Sequence, residues 1–229
     1  MRPAMIKAII ISIVLLAPIS PALAQSPWSL DATAGVVSDY RYRGYSLSNG
    51  DPALQAGVTV GHTSGFYGDA FVSSIDEYGI GDDGDGADIE VTGSFGWAGM
   101  LAGFDVDAAV SAYRYPDGDD VNYLEAPVQI GQTVGPLTWT VGVAYAPAQD
   151  ALSDEDNRYG WAGLAYAPDG WPISVSGTVG YEDGAFAPDG KSDWAVGAER
   201  DFGPATLALT WIDSDVDAGA FVASAFVKF

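Results

Sequence analysis

The sequence of 229 residues has no cysteine and a single histidine, His62. Without cysteine the chain can form no disulfide framework, no lipid-anchored cysteine and no thiolate metal site, and one histidine excludes a multi-histidine metal centre. Cations are also scarce, with nine Lys and Arg against 31 Asp and Glu and a net charge of −22. An excess of negative charge argues against nucleic acid as a partner, because the phosphate backbone is itself anionic.

Only the N-terminus carries a long apolar run. Arg2 and Lys7 precede the apolar residues 8–17, and Ala22-Leu23-Ala24 forms a small-residue cleavage site. The run is too short for a membrane-spanning helix, which needs about 20 residues. The three parts together predict a secretory signal peptide over 1–24 and a mature chain over 25–229. Without Arg2 and Lys7 the chain holds seven cations against 31 acids, a net charge of −24.

The remaining sequence alternates apolar residues with small or polar ones, in segments separated by turn residues. This period of two predicts an all-β chain, and its repetition is typical of a transmembrane antiparallel up-and-down β-barrel. Twelve strands are predicted: 28–43, 53–63, 66–75, 88–97, 100–115, 121–134, 137–147, 158–167, 172–182, 190–201, 204–213 and 219–229.

Short turns and long loops alternate along the predicted barrel. Short turns are expected at Ser64-Gly65, Ala98-Gly99, Gly135-Pro136, Pro168-Asp169-Gly170 and Phe202-Gly203, whereas longer loops rich in Asp and Gly follow the odd-numbered strands. Outer-membrane barrels have short periplasmic turns and longer extracellular loops. The pattern therefore predicts the bacterial outer membrane as the location, with outer-membrane lipid and lipopolysaccharide as partners and an unknown oligomeric state.

Aromatic residues cluster near the ends of the predicted strands, as in the two girdles of a barrel in lipid. One girdle is expected at the short-turn end and a second towards the long loops, so the bulky faces should point at lipid. The predicted members are Trp28, Trp97, Trp139, Trp171 and Phe229 at the turn end, and Tyr40, Tyr42, Tyr145, Tyr159, Trp161, Tyr181 and Trp211 at the loop end.

The C-terminal segment alternates up to Phe229, the last residue. An aromatic final residue resembles the signal by which the bacterial barrel-assembly machinery recognises its substrates. Phe229 is therefore a candidate assembly signal, with a plain strand end as the alternative.

Residues 38–55 read Ser-Asp-Tyr-Arg-Tyr-Arg-Gly-Tyr-Ser-Leu-Ser-Asn-Gly-Asp-Pro-Ala-Leu-Gln. This stretch resembles the opening signature of the TorF-type porins, and Gly65-Phe66-Tyr67-Gly68 and Ser73-Ser74-Ile75-Asp76 resemble that family's next hairpin. From the fifth strand onward only the rhythm is similar. The resemblance implies an outer-membrane barrel with pore activity and names no catalytic or ligand residue.

Small residues dominate the faces opposite the bulky ones, which favours a water-filled lumen, although Tyr67, Phe71, Tyr113, Tyr123 and Phe226 also point inward by parity. Acids on these faces outnumber cations, and rings of acids favour cation passage. The candidate pore-lining residues are Asp31, Asp39, Arg41, Arg43, Asp69, Glu90, Asp105, Asp107, Glu125, Asp193 and Glu199; Lys191 and Lys228 are the further lumen cations.

Asp39, Arg41 and Arg43 share one face at the end of the first predicted strand. A buried arginine is costly unless it is paired. The arginines either form a constriction with carboxylates across the pore or brace the first loop by ion pairs, and the second interpretation is slightly favoured.

Two further motifs indicate weaker possibilities. Asp83, Asp85 and Asp88 lack the spacing of an EF-hand, so weak divalent binding by surface acids is expected and no built metal site. His62-Thr63-Ser64 offers a base and a nucleophile without an orienting third residue, so an enzyme is not expected, and no cofactor is implied.

The leading hypothesis is a porin-like channel for passive diffusion of small, cationic or neutral solutes. The alternative is a non-conducting barrel that acts as a scaffold or adhesion module through its acidic loops. A lumen filled by side chains or folded-in loops would favour the scaffold, and a clear passage would favour the pore.

Overall fold

The fold was obtained as a computed structural model that describes residues 26–81 and 84–229. The predicted signal peptide lies outside the described residues. Twelve long strands form one closed antiparallel barrel, and two short strands form a separate hairpin. The strands are β1 (Trp28–Val37), β2 (Arg41–Tyr42), β3 (Tyr45–Ser46), β4 (Ala53–His62), β5 (Phe66–Tyr78), β6 (Ala87–Leu101), β7 (Phe104–Arg114), β8 (Tyr123–Val134), β9 (Leu137–Ala146), β10 (Asn157–Tyr166), β11 (Ser174–Gly184), β12 (Ala187–Phe202), β13 (Ala205–Ser214) and β14 (Ala220–Lys228).

Each barrel strand pairs with its neighbours in the chain, and β1 closes the ring against β14. The predicted twelve-strand, up-and-down topology is therefore confirmed. A 3-10 turn covers Asp150–Leu152. The described residues contain no helix with the length and apolarity that a membrane span requires.

The outer surface of the barrel is a belt of exposed apolar side chains. Leu54, Phe95, Val143, Val179 and Val196 each expose 60% or more of their surface. Polar residues alternate with them and are buried inside, as Asp31, Thr59 and Glu90 are, among others. A soluble protein does not expose a contiguous apolar surface of this extent, and closure satisfies the backbone groups that lipid cannot. The chain is therefore a transmembrane barrel.

The aromatic residues divide between the two faces differently from the prediction. Exposed aromatics at the turn end include Trp28, Trp171 and Phe229, and those at the loop end include Tyr145 and Tyr181. The prediction is wrong for four others, since Tyr40, Tyr42, Tyr159 and Trp161 lie inside the barrel. Parity misplaced Tyr40 and Tyr42 because the first strand ends at Val37 and the chain then turns inward.

Two predicted connections also differ in the structure. The turn expected at Ala98-Gly99 lies at Ala102-Gly103, where both residues have positive φ, 54° and 88°. Two consecutive positive φ values are typical of the tight hairpin turn that matches strand twist. The loop expected after the ninth barrel strand is also short, since β11 ends at Gly184 and β12 begins at Ala187. Both strands extend beyond the predicted boundaries, and their pairing shifts register between Glu182 and Gly184.

Candidate functional site

The first long connection, residues 38–52, folds into the barrel instead of extending from it; we call it the inner loop. It contains the β2–β3 hairpin, in which Arg41 pairs with Ser46 and Tyr42 with Tyr45. Arg43 and Gly44 form the tip, with φ of 50° and 86°. The left-handed conformation costs a non-glycine residue roughly 1–2 kcal/mol. Strong contacts must therefore hold Arg43 at this tip.

Arg43 is anchored by two buried carboxylates. Its Nη2 donates to Glu125 Oε2 at 2.6 Å and its Nη1 to Glu182 Oε1 at 2.8 Å. Its guanidinium also lies over the ring of Tyr159, 4.2 Å from the centroid. The side chains of the three charged residues are 8%, 1% and 2% exposed. A bidentate fork suits arginine better than lysine at such a site.

The anchor reaches the wall opposite the point where the inner loop leaves the barrel. The loop connects β1 to β4, and in the closed strand order β8 and β11 flank the strands that lie furthest from this pair. Glu125 lies on β8 and Glu182 on β11. The inner loop therefore crosses the lumen.

Lys191 on β12 completes the charge cluster. Its Nζ donates to the Arg43 carbonyl at 2.5 Å and lies 2.8 Å from Glu182 Oε2, and the side chain is fully buried. Glu182 thus has two cations, and it also accepts from Asn157 Nδ2 at 3.0 Å. Because a buried charge is costly when unpaired, these contacts fix the inner loop in one position.

A second set of contacts fixes the base of the inner loop. Arg41 Nε donates to Asp39 Oδ2 at 2.5 Å, and Arg41 Nη1 donates to the Ala218 carbonyl in the last loop at 2.7 Å. Tyr40 Oη donates to Glu90 Oε1 on β6 at 2.8 Å, and Glu90 also accepts from Tyr115. Arg43 faces carboxylates on the opposite wall, and its ion pairs hold the inner loop; the constriction of a pore stays a prediction.

Burial and neighbouring charges together set the protonation states of Tyr40, Tyr42 and Arg43. Burial raises the pKa of the Tyr40 phenol, which Glu90 raises further, and it raises the pKa of Tyr42. Burial alone would lower the pKa of Arg43, but Tyr42 and the two carboxylates raise it well above its usual value. Both phenols are therefore neutral and Arg43 is charged at neutral pH.

A half-open cavity of about 540 Å³ lies between the inner loop and the loop end of the barrel. Aromatic residues form much of its wall, including Tyr78, Tyr115 and Phe186, and Glu182 and Asp217 contribute carboxylates. The remaining interior is not simply open. Apolar side chains such as Ile212 and Phe226 pack against the inner loop, so the lumen is narrower than the small residues of the strands predict.

The turn-end half of the interior holds the other predicted acids. Asp107 accepts from Tyr67 Oη at 2.8 Å and is only partly buried, as is Asp105. Glu199 accepts from Ser174 Oγ at 3.1 Å near the turn end. The structure therefore separates the predicted residues into a paired group at the inner loop and a less constrained group below it, which contains Asp31, Asp69, Asp105, Asp107 and Glu199.

The interior is acidic. Among the described residues, the carboxylates that face it outnumber four cations; the carboxylates include Asp31, Asp39, Asp69, Glu90, Asp105, Asp107, Glu125, Glu182, Asp193, Glu199 and Asp201, and the cations are Arg41, Arg43, Lys191 and Lys228. Six of these acids, together with Arg41, Arg43 and Lys191, are less than a tenth exposed. Glu182 was absent from the predicted site. Its alternation with the outward Tyr181 was the signal that could have placed it inside.

Other candidate motifs are not part of this site. His62 Nδ1 and Ser64 Oγ lie 2.7 Å apart on the exposed turn end, and among the described residues no carboxylate hydrogen-bonds to His62. Asp83 lies outside the described residues. Within residues 26–81 and 84–229, no three His, Asp or Glu side chains are grouped to hold a metal ion.

The closed ring of twelve strands, its outward apolar belt and its polar interior define a bacterial outer-membrane β-barrel of the porin type. The chain belongs to the family described as "Bacterial protein of unknown function (Gcw_chp)", whose model matches residues 21–229. No curated protein sequence matches the chain. The resemblance to TorF-type porins stays a prediction.

Solved porin structures have the same fold. The chain is similar to a KdgM porin with a TM-score of 0.58 and 9% identity, over 87% of this chain and 98% of that one. It is similar to a NanC porin with a TM-score of 0.55 and 12% identity, over 88% and 99%. It is also similar to a KdgM porin in complex with disordered oligogalacturonate, with a TM-score of 0.57 and 8% identity, over 87% of this chain and 97% of that one. At these identities the likeness shows the fold alone.

Proposed function

We propose that this protein is a channel for passive diffusion of small cationic or neutral solutes, with the inner loop as its constriction. The observation that carries the proposal is the acidic interior of a closed membrane barrel, in which carboxylates outnumber cations. Fixed charges of one sign in a low-dielectric wall raise the local concentration of counter-ions. The similarity of the fold to the KdgM and NanC porins supports a channel.

The free charges are concentrated below the inner loop. Arg43 and Lys191 are paired with Glu125 and Glu182, so their positive charge is largely balanced within the anchor. Asp105 and Asp107 have no ion pair among the described residues and are partly exposed to the lumen. A polyanion such as the oligogalacturonate held by one of the similar porins would meet this negative field and be disfavoured.

The test is the reversal potential of the purified protein in planar bilayers under asymmetric KCl. We expect cation selectivity that is stronger in dilute salt, because the Debye length falls from about 10 Å at 0.1 M to about 3 Å at 1 M. Asp105→Asn with Asp107→Asn should reduce it. The matched control, Asp154→Asn with Asp169→Asn, removes the same charge from exposed connections and should leave selectivity unchanged. An anion-selective wild type contradicts the proposal and would indicate that Arg43 controls permeation.

The inner loop also favours a second candidate, a non-conducting scaffold. It crosses the lumen and buries Lys191, Glu125 and Glu182 almost completely. A folded barrel without conductance in the same bilayers would support this alternative. A heat-dependent gel shift would show that the protein tested is folded.

Outer-membrane lipid meets the apolar belt under either proposal. Lipopolysaccharide, the assembly machinery and weak divalent binding at Asp85 and Asp88 remain proposals. The enzyme hypothesis has no supporting geometry in the described residues.

A further inference from the structure

The inner wall formed by β8–β12 already shows how this protein holds a cation. Tyr159, Glu182 and Lys191 lie on one cross-strand row, since Tyr159 pairs with Glu182 and Glu182 pairs with Lys191. The Arg43 guanidinium lies on the Tyr159 ring and donates to Glu182. An aromatic face and a carboxylate in one row thus make a site for an organic cation from the chain itself.

The next row towards the turn end repeats these parts. On one side Trp161 pairs with Gly142 of β9, which pairs in turn with Gln129 of β8. On the other side Trp161 pairs with Gly180 of β11, which pairs in turn with Asp193 of β12. The Trp161 indole stacks with the Tyr159 ring, with centroids 5.7 Å apart. It also lies against Gly142, where any larger side chain would displace it. Glycine thus allows the indole to lie flat along the wall and stay partly exposed to the lumen.

The row carries buried acceptor atoms without partners. Asp193 is 4% exposed, and its Oδ1 accepts from Tyr159 Oη while its Oδ2 has no hydrogen-bond partner in the structure. Gln129 is 7% exposed and its Oε1 is likewise unpartnered. The hydroxyl oxygens of Thr140 and Thr178, one row further down, are also unpartnered. Buried acceptors without donors are uncommon and costly, so this wall favours a solute rich in N–H donors.

We infer that Trp161, Asp193 and Gln129 form a binding site for an organic ammonium or guanidinium solute in transit through the barrel. One cationic group of the solute lies against the indole face, as Arg43 lies against Tyr159, and donates to Gln129 Oε1 on the Gly142 side. A second cationic group of the same solute donates to Asp193 Oδ2, because Gln129 and Asp193 lie on opposite sides of Trp161, two strands away from it in each direction. This inference rests on the proposed channel, because the solute must enter the lumen. Among the described residues no lysine or arginine lies over the Trp161 ring.

The chemistry of the row separates this solute from its alternatives. An anion would meet the Asp193 carboxylate with no adjacent free cation, since Lys191 is committed to Glu182. A bare inorganic cation has no apolar surface to place on the indole. An organic ammonium uses both the π face and the acceptors, and cation–π contacts of this kind contribute about 0.5–2 kcal/mol.

The experiment is isothermal titration calorimetry of the folded full barrel in detergent micelles with putrescine, a four-carbon diamine, in 150 mM salt to screen surface charges. The uncharged 1,4-butanediol has the same length and is the ligand control. We expect putrescine to bind and butanediol not to. Trp161→Leu should weaken putrescine binding about two- to thirtyfold, and Asp193→Asn should weaken it to a similar degree. Trp161→Tyr keeps an aromatic face and should retain most of the affinity.

Two protein controls separate the site from the general acidity of the chain. Trp171→Leu removes an exposed tryptophan of the turn-end surface, and Asp154→Asn removes an exposed acid; both should bind like the wild type. Equal binding of the diol, or wild-type affinity in both Trp161→Leu and Asp193→Asn, overturns the inference. Micelle binding needs no ion current, so a site without conductance would count against the channel alone. Conductance without such a site would count against this inference alone.

Discussion

Replacing Arg43 with glutamine should both destabilise the barrel and widen its lumen. Among residues 26–81 and 84–229, the Arg43 guanidinium is the one group that joins Glu125 on β8 to Glu182 on β11 through the inner loop. Glutamine keeps part of the side-chain length but loses the charge and the fork. The inner loop would then be held mainly through its base, at Asp39, Arg41 and Tyr40.

The size of the effect follows from what each carboxylate retains. Removing one partner of a buried ion pair costs about 3–5 kcal/mol, because the remaining charge stays buried. Glu182 keeps Lys191 at 2.8 Å, whereas Glu125 has no second cation among the described residues. We therefore expect the free energy of unfolding to fall by about 3 kcal/mol, the lower limit of that range. The double variant Arg43→Gln with Glu125→Gln should recover part of the loss, since no buried charge is then unpaired.

The assay is urea unfolding in detergent or lipid, followed by tryptophan fluorescence, together with single-channel recording. The matched control is Arg158→Gln, which breaks an ion pair with Asp156 in which the arginine side chain is 66% exposed. Exposed pairs contribute little, so this control should unfold like the wild type. Conductance should rise in Arg43→Gln alone, with stronger cation selectivity. If Arg43→Gln unfolds at the same urea concentration as Arg158→Gln, the inner loop is not held by this anchor and the reasoning is refuted.

Three further predictions concern the barrel as a whole. The protein should fractionate with the outer membrane and show a heat-dependent gel shift, because a closed ladder of backbone hydrogen bonds resists detergent until boiling; recovery as a soluble periplasmic monomer would contradict it. Phe229 donates its backbone N–H to the Ala32 carbonyl at 2.9 Å. Deleting Phe229 should lower the amount of protein in the outer membrane without changing export, as measured by cell fractionation. A normal amount of the truncated protein in the outer membrane would show that Phe229 is a plain strand end. Gly142→Val should shift the tryptophan fluorescence and reduce stability, measured in the urea assay, because the added side chain occupies the position of the Trp161 indole. The matched control is Gly160→Val, whose Cβ would meet no atom closer than 3.9 Å, and it should unfold like the wild type.

The strands were predictable because their signal is local. A period of two is visible within each segment, and repetition over twelve segments made the barrel and its outward apolar face clear from the sequence. Predicted bounds were within a few residues for most strands. The turn placed at Ala98-Gly99 was wrong because Gly99 resembles a turn residue but continues β6, next to the ring of Trp97.

The inner loop was not predictable from alternation. Asp39, Arg41 and Arg43 keep a period of two, so they look like an extension of β1, yet the chain leaves the sheet after Val37. The decision between strand and inserted hairpin depends on Glu125 and Glu182, which are 82 and 139 residues away from Arg43. Such pairings depend on the register of several strands, and no single segment of the sequence contains that information.

The directions of Tyr159 and Trp161 on the inner wall were likewise not predictable from a single segment of the sequence. Tyr159 and Trp161 were assigned to the lipid face because aromatic residues are common in girdles. Their true direction follows from the glycines that face them, Gly180 and Gly142, on strands whose register could not be read from the sequence. Glu182 was missed because the strand was expected to end there.

The unequal pairing of β1 has a consequence for how the barrel assembles. β1 shares ten registered residue pairs with β4 but five with β14, and that shorter seam joins the two ends of the chain, which are the most costly segments to bring together. The inner loop follows β1 directly, next to the β1–β14 pairing, and Arg43 binds the opposite wall at β8 and β11. When Arg43 binds Glu125 and Glu182, it brings β1 and β4 towards the opposite side of a sheet that is still open. We therefore expect β1 to pair with β14 only after the inner loop has docked.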